Sequence, residues 1–150
     1  MTYYDLGTYT RPITTASPEA QVWFDRGLNW VFGFNHEEAV KCFTKAAELD
    51  PKCAMAHWGI SYAVGPNYNI PWELQDPTSK AQSLAAAYDA MQTALACAEQ
   101  ATPVEQALIG ALPARYPQRD PIDDQSGWDK DFTRAMRKAL AVTTSEEPDM

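Results

Sequence analysis

The chain is short of positive charge, of cysteine and histidine, and of β-branched aliphatic residues, and each shortage excludes something. Twelve Lys and Arg stand against twenty Asp and Glu, a net charge of −8, and the basic residues cluster only weakly, between Arg134 and Lys138. That is no electrostatic footprint for a phosphate backbone, so nucleic acid is not an expected partner. Three cysteines, Cys42, Cys53 and Cys97, are an odd number with no C-x-x-C pair, which argues against a disulfide framework and for reduced thiols used as small apolar residues. No apolar run approaches the ~20 residues that span a bilayer. The opening MTYYDLGTYTRP has neither a basic n-region nor an apolar h-region. A cytoplasmic protein that avoids membranes is the expectation.

What is present is alanine. The 150 residues are 45% apolar and 21% charged, enough for one folded domain with its own core. Twenty-three Ala against six Val and five Ile favour helix over strand, because Ala loses no side-chain entropy in a helix and β-branched residues do. Residues 1–16 show no period and read as an arm lying on the surface or on a partner. Residues 17–143 read as an all-α helical domain, and residues 144–150 as a disordered polar tail.

Capping chemistry marks the helices. Ser17-Pro18-Glu19 opens one that should run to about Phe34, and Asn35 opens a second that should end near Asp50. A third is expected over 54–64, closed by Gly65 and Pro66. The thirteen residues GPNYNIPWELQDP then form an unusually long connection. Asp76-Pro77 starts an Ala-rich helix to about Gln100, and Thr102-Pro103-Val104-Glu105 is a capping box for a fifth, which Pro113 should end or kink near Leu112. RYPQRDPIDDQSG reads as a loop, and a sixth helix is expected from Trp128 to Val142.

Helix pairs joined by short turns call for a search for internal period. Over 20–53, Trp23, Gly27, Trp30, Ala39, Phe43, Ala46 and Pro51 occupy positions 4, 8, 11, 20, 24, 27 and 32 of a 34-residue unit. They resemble the tetratricopeptide (TPR) signature, with Arg26 standing where Leu is usual. The physics agrees, since small residues at 8, 20 and 27 let helices approach while aromatics fill the gap. A degenerate second unit spans 54–105 and carries the long loop between its two helices. The run from FNHEEA to HWGISYAVGPNYN is similar to a family of bacterial and fungal TPR-domain proteins. Those proteins are usually longer, so this chain is expected either to be an N-terminal piece or to dock its last helix on a partner. The resemblance implies a TPR-like array of about six antiparallel helices and no particular activity.

It also implies a concave groove lined by the first helix of each pair: Gln21, Phe24, Leu28, Val31 and Phe32, then Met55, Trp58 and Tyr62. Of these Phe24, Leu28, Trp58 and Tyr62 are the candidate anchors for a protein or peptide. The alternative is that they pack against the arm or the inserted loop. The places that hold Lys and Asn in relatives that clamp acidic C-termini are taken here by Phe24 and Leu28, so such ligands are not expected. At the far end, Trp128, Phe132, Ala135, Met136 and Ala139 recur at helical spacing with no later helix to cover them, which suggests self-association.

A second candidate site comes from counting. The second and third helices meet near Asp50 and Cys53, so fourteen residues back, His36, should lie opposite fourteen forward, Asn67. His36, Asn67 and Asn69 form a candidate small-molecule site, and His36 with Glu37 a weak metal pair, because imidazole, carboxylate and amide oxygen are competent donors. The plainer reading is that His36 hydrogen-bonds a loop carbonyl. Cys53 and His57, at i and i+4, have acceptable ligand spacing, but His57 falls where a bulky core residue belongs. No nucleophile elbow, P-loop, dinucleotide or zinc-protease motif occurs. No catalytic residue is assigned. Two functions follow: a TPR-type interaction module with an aromatic groove, or a small-molecule binder or metal-dependent enzyme built around His36 and the GPNYN loop.

Overall fold

Side-chain caps start the helices where hydrogen-bonding chemistry places them. A computed structural model describes residues 3–146 of the chain, with side chains through 145. It is all-α, with six α-helices: α1 (Pro18–Phe32), α2 (His36–Leu49), α3 (Ala54–Val64), α4 (Pro77–Cys97), α5 (Pro103–Arg115) and α6 (Ser126–Glu146). Among the described residues there is no strand. Ser17 caps α1 through the Ala20 N–H, Asn35 caps α2 through Glu38, and Asp76 caps α4 through Thr78 and Ser79. Both halves of the Thr102–Glu105 capping box are formed. Each satisfies donors that the first helical turn leaves without a backbone partner.

Helix ends differ from expectation at several points: α1 stops at Phe32, and α4 at Cys97, where a single 3-10 turn over Ala98–Gln100 follows it. α5 runs past Pro113 to Arg115, and the Tyr116 N–H still reaches the Leu112 carbonyl at 3.0 Å. Proline removes one hydrogen bond there, but the last turn is held by tertiary burial of Leu112, Arg115 and Tyr116. α6 begins at Ser126 and continues to Glu146, so the first residues of the expected tail are helical. Residues 147–150 lie outside the described part.

Consecutive helices pack as α1 on α2, α2 on α3, α3 on α4 and α5 on α6, and α3 also touches α1 and α5. Phe43 of α2 is the wedge. Its ring is fully buried between Gly27 of α1 and Gly59 of α3, tilted against Phe24 at a centroid distance of 5.4 Å. Ala39 and Ala46 are buried on the same face of α2. On the other side of α3, Ser61 Oγ donates to the Ala87 carbonyl at 2.8 Å, tying α3 to α4. Trp128 and Ala139 are also buried. The α6 face read as uncovered is therefore closed by α5, and it supplies no argument for self-association.

The arm is strapped to the helices at several points. Tyr3 receives the Trp30 indole N–H at 2.7 Å and lies 3.0 Å from Cys42 Sγ, with its ring edge on Trp23. Arg26, the departure from the repeat pattern, places its guanidinium 4.2 Å from the Tyr3 ring centre and 4.5 Å from that of Trp23. Further along, Asp25 accepts from Thr10 and Arg11, Glu105 accepts from both the N–H and hydroxyl of Thr14, and Asp50 accepts from Thr15 and Ala16. Thr15 and the backbone donors hold the Asp50 carboxyl below the usual carboxylate range.

Candidate functional site

α1 ends in a Schellman motif whose left-handed residue is a phenylalanine. Gly33 caps the helix; the Phe34 N–H bonds the Val31 carbonyl at 3.0 Å and the Asn35 N–H bonds that of Trp30 at 2.9 Å. Phe34 takes φ 61°, and among the described residues no other non-glycine has positive φ. Glycine is the usual occupant because an L side chain there costs about 1–2 kcal/mol. The strained residue is 63% exposed, so its ring gains little from the core in return.

Phe34 stands at the lip of a cavity of about 490 Å³. The volume lies within the range of small-molecule sites. Its walls come from the end of α1 (Val31, Phe32), the start of α2 (His36), the end of α3 with its loop (Tyr62, Pro66, Asn67, Tyr68, Pro71, Trp72), Arg115 of α5 and Asp129 of α6. Antiparallel pairing of α2 with α3 carries His36 and Asn67 to the same end of the hairpin, and the extra turn of α5 brings Arg115 there. Gly65 makes room, since any Cβ at that position would collide with the Tyr116 hydroxyl. That hydroxyl donates to the Ser61 carbonyl at 2.9 Å, and burial pushes its pKa up to about 12.

His36 and Asn67 therefore share the cavity, but they do not bond one another. The His36 Nδ1 contact is local, 3.4 Å from the Phe34 carbonyl. Asn67 folds its own loop: Oδ1 accepts the N–H groups of Asn69 and Ile70 at 2.9 and 3.1 Å. Asn69 is exposed and takes no part in the cavity wall. Glu37 points outward and pairs with Lys41 at 3.2 Å. Among the described residues no three His, Cys, Asp or Glu side chains gather to hold a metal ion. His57 Nε2 contacts the Pro51 carbonyl at 2.9 Å, away from His36.

The groove candidates divide. Phe24, Leu28, Met55 and Trp58 belong to the core, and Gln21 is occupied by the arm, bonding Ile13 and Arg11. Val31, Phe32 and Tyr62 reach the cavity. Tyr62 stacks on Trp58 at 5.2 Å and 15°, so the aromatic row set by helical spacing ends at the cavity wall.

Arg115, which no sequence signal marked, is the strongest electrostatic feature. It is 8% exposed. Its guanidinium donates to the carbonyls of Tyr62, at 3.4 Å, and Pro66. It also lies 5.0 Å from the ring centres of Tyr62 and Phe132 and 5.4 Å from that of Tyr116. Among the described residues no carboxylate lies within 4.0 Å of it. A buried cation without a counter-charge is costly to maintain. Asp129, on the same wall, is pushed above the usual carboxylate range by desolvation; Arg115 opposes that shift and Glu73 adds to it. Trp72, 1% exposed, has an indole N–H with no acceptor among the described residues. An unmet buried donor costs about 1–3 kcal/mol, a second cost borne by this wall.

Comparison of the chain with protein-family models, with curated proteins and with solved structures finds no match in any of the three.

Proposed function

We propose that the chain is a TPR-like helical scaffold that binds a small charged molecule in the cavity between the α2 N-terminus and the 65–76 loop. Arg115 carries the reading. A guanidinium that is nine-tenths buried, fixed by two carbonyls and three rings, and with no carboxylate within 4.0 Å among the described residues is what a site for a charged ligand requires before the ligand arrives. The strained Phe34 lip supports it, because backbone strain persists where the surrounding structure imposes it and concentrates at ligand clamps. The TPR-like register is supported by the Phe43 wedge between Gly27 and Gly59 and by the contacts of α3 with α1 and α5.

The test is a ligand-observed NMR screen of charged, ring-bearing small molecules against the parent and Arg115→Met, which keeps the apolar stem and removes the charge. Hits lost in the variant, with an unchanged circular dichroism spectrum, are expected. Hits indifferent to the variant would refute the reading.

A protein segment as occupant has one observation in its favour, the exposed Phe32, Phe34 and Tyr68 at the cavity mouth. Sedimentation of the parent and Phe34→Ser tests the version in which that segment is a second copy: association in the parent and its loss in the variant are expected.

A further inference from the structure

The cavity holds two opposite charges that do not meet. Arg115 uses two of its five N–H donors on the carbonyls of Tyr62 and Pro66. The rings of Tyr62, Tyr116 and Phe132 hold the guanidinium in place, so it is not free to swing to a carboxylate. Asp129 lines the same cavity, and among the described residues its carboxylate accepts no hydrogen bond and lies in no ion pair. The two groups still feel one another electrostatically, and Glu73 adds negative potential on the Asp129 side. A ligand that is only an anion gains at Arg115 and is repelled at Asp129. One that is only a cation meets the reverse. A molecule with both poles is attracted by both and leaves neither charge unmatched.

We infer that the occupant is a zwitterion of the amino-acid type, its carboxylate on Arg115, its ammonium toward Asp129, and its apolar side chain among Val31, Phe34 and Tyr62. This deepens the small-molecule reading above and rests on it. The carboxylate meets a planar guanidinium whose remaining donors can form parallel bonds. The ammonium pairs with Asp129, whose carboxylate has no protein partner among the described residues. The apolar wall accounts for the rest of a ligand that must fill part of some 490 Å³.

The experiment is isothermal titration of the full chain at neutral pH and low salt with three matched probes: L-phenylalanine, 3-phenylpropionate and 2-phenylethylamine. L-tyrosine, L-tryptophan, L-leucine and L-methionine allow for side-chain preference. At least one amino acid is expected to bind, and phenylpropionate and phenylethylamine to bind about tenfold or more weakly than the best amino acid, since each forfeits one charge-assisted interaction. Asp129→Asn, an exposed substitution that leaves the core untouched, should weaken the amino acid about tenfold and leave phenylpropionate no weaker. It serves if Arg115→Met fails to fold. Phenylpropionate binding as tightly as the best amino acid, insensitive to Asp129→Asn, would overturn the zwitterion and leave the charged-ligand cavity standing. No binding by any probe at millimolar concentration would overturn the zwitterion, while the broader screen decides the cavity separately.

Discussion

Replacing Gly59 with alanine puts a methyl carbon 2.5 Å from Cγ and Cδ1 of Phe43. Carbon atoms in contact sit about 3.5–4.0 Å apart, so the ring must retreat by about 1 Å. It has nowhere to go. On its other face stands Gly27, whose own Cβ position would be 2.6 Å from Cε1 of the same ring, and the side chain is fully buried. Overpacking costs about 1–3 kcal/mol, and confinement on both faces points to the upper end. Alanine returns about 1 kcal/mol of helix propensity, leaving Gly59→Ala destabilised by about 2 kcal/mol. The same change at Gly110, inside α5 with nothing within 4 Å of the new methyl group, keeps only the propensity gain and should stabilise by about 0.5–1 kcal/mol. Urea unfolding followed by far-ultraviolet circular dichroism should show the midpoint falling in the first variant and rising in the second, with the slope unchanged. In thermal melts Gly59→Ala should lose roughly 4–8 °C. A Gly59→Ala protein melting at or above the parent would mean that Phe43 is not held between α1 and α3, and the packing order described here would be wrong.

Three further outcomes follow from other contacts. Glu105→Gln gives up the charge that accepts from Thr14 and Thr102, so it should cost about 1.5–3 kcal/mol and expose residues 7–15 to protease; parent-like resistance to cutting would refute the strap. Tyr3 and Tyr116 have pKa values raised to about 12. Both are neutral when folded, so the stability they supply is complete below the unfolded value near pH ~10 and is lost as pH rises toward about 12. Ultraviolet titration should show these two of the seven tyrosines ionising late and together with unfolding; all seven ionising near pH ~10 in a still-folded chain would refute their burial. Phe34→Gly should leave stability unchanged or raise it by about 1 kcal/mol, while weakening whatever binds the cavity. A large loss of stability in urea would show that the left-handed residue is not under strain.

The helix starts were legible because a cap is a local event. Ser17, Asn35, Asp76 and Thr102 each bond an N–H two or three residues away, and nothing distant is needed to form that bond. The meeting of His36 with Asn67 was also legible, because it needs only a tight hairpin and a count along two helices. The contact between them was not: the Asn67 side chain closes its own turn and His36 leans on Phe34, a choice made by loop geometry.

The order of the helices, their caps and the small-and-aromatic seam around Phe43 were determined by the sequence, through interactions whose range is a turn or two. The cavity's chemistry was decided only by tertiary structure. Arg115 sits next to a proline expected to end its helix, and on the sequence it is one more loop arginine. Packing of Leu112 and Tyr116 against the core carries α5 one turn further. That turn sets the guanidinium among Tyr62, Tyr116 and Phe132, and α6 brings Asp129 to the same wall. The carbonyls that hold it belong to Tyr62 and Pro66, 53 and 49 positions away, a distance that no local pattern encodes.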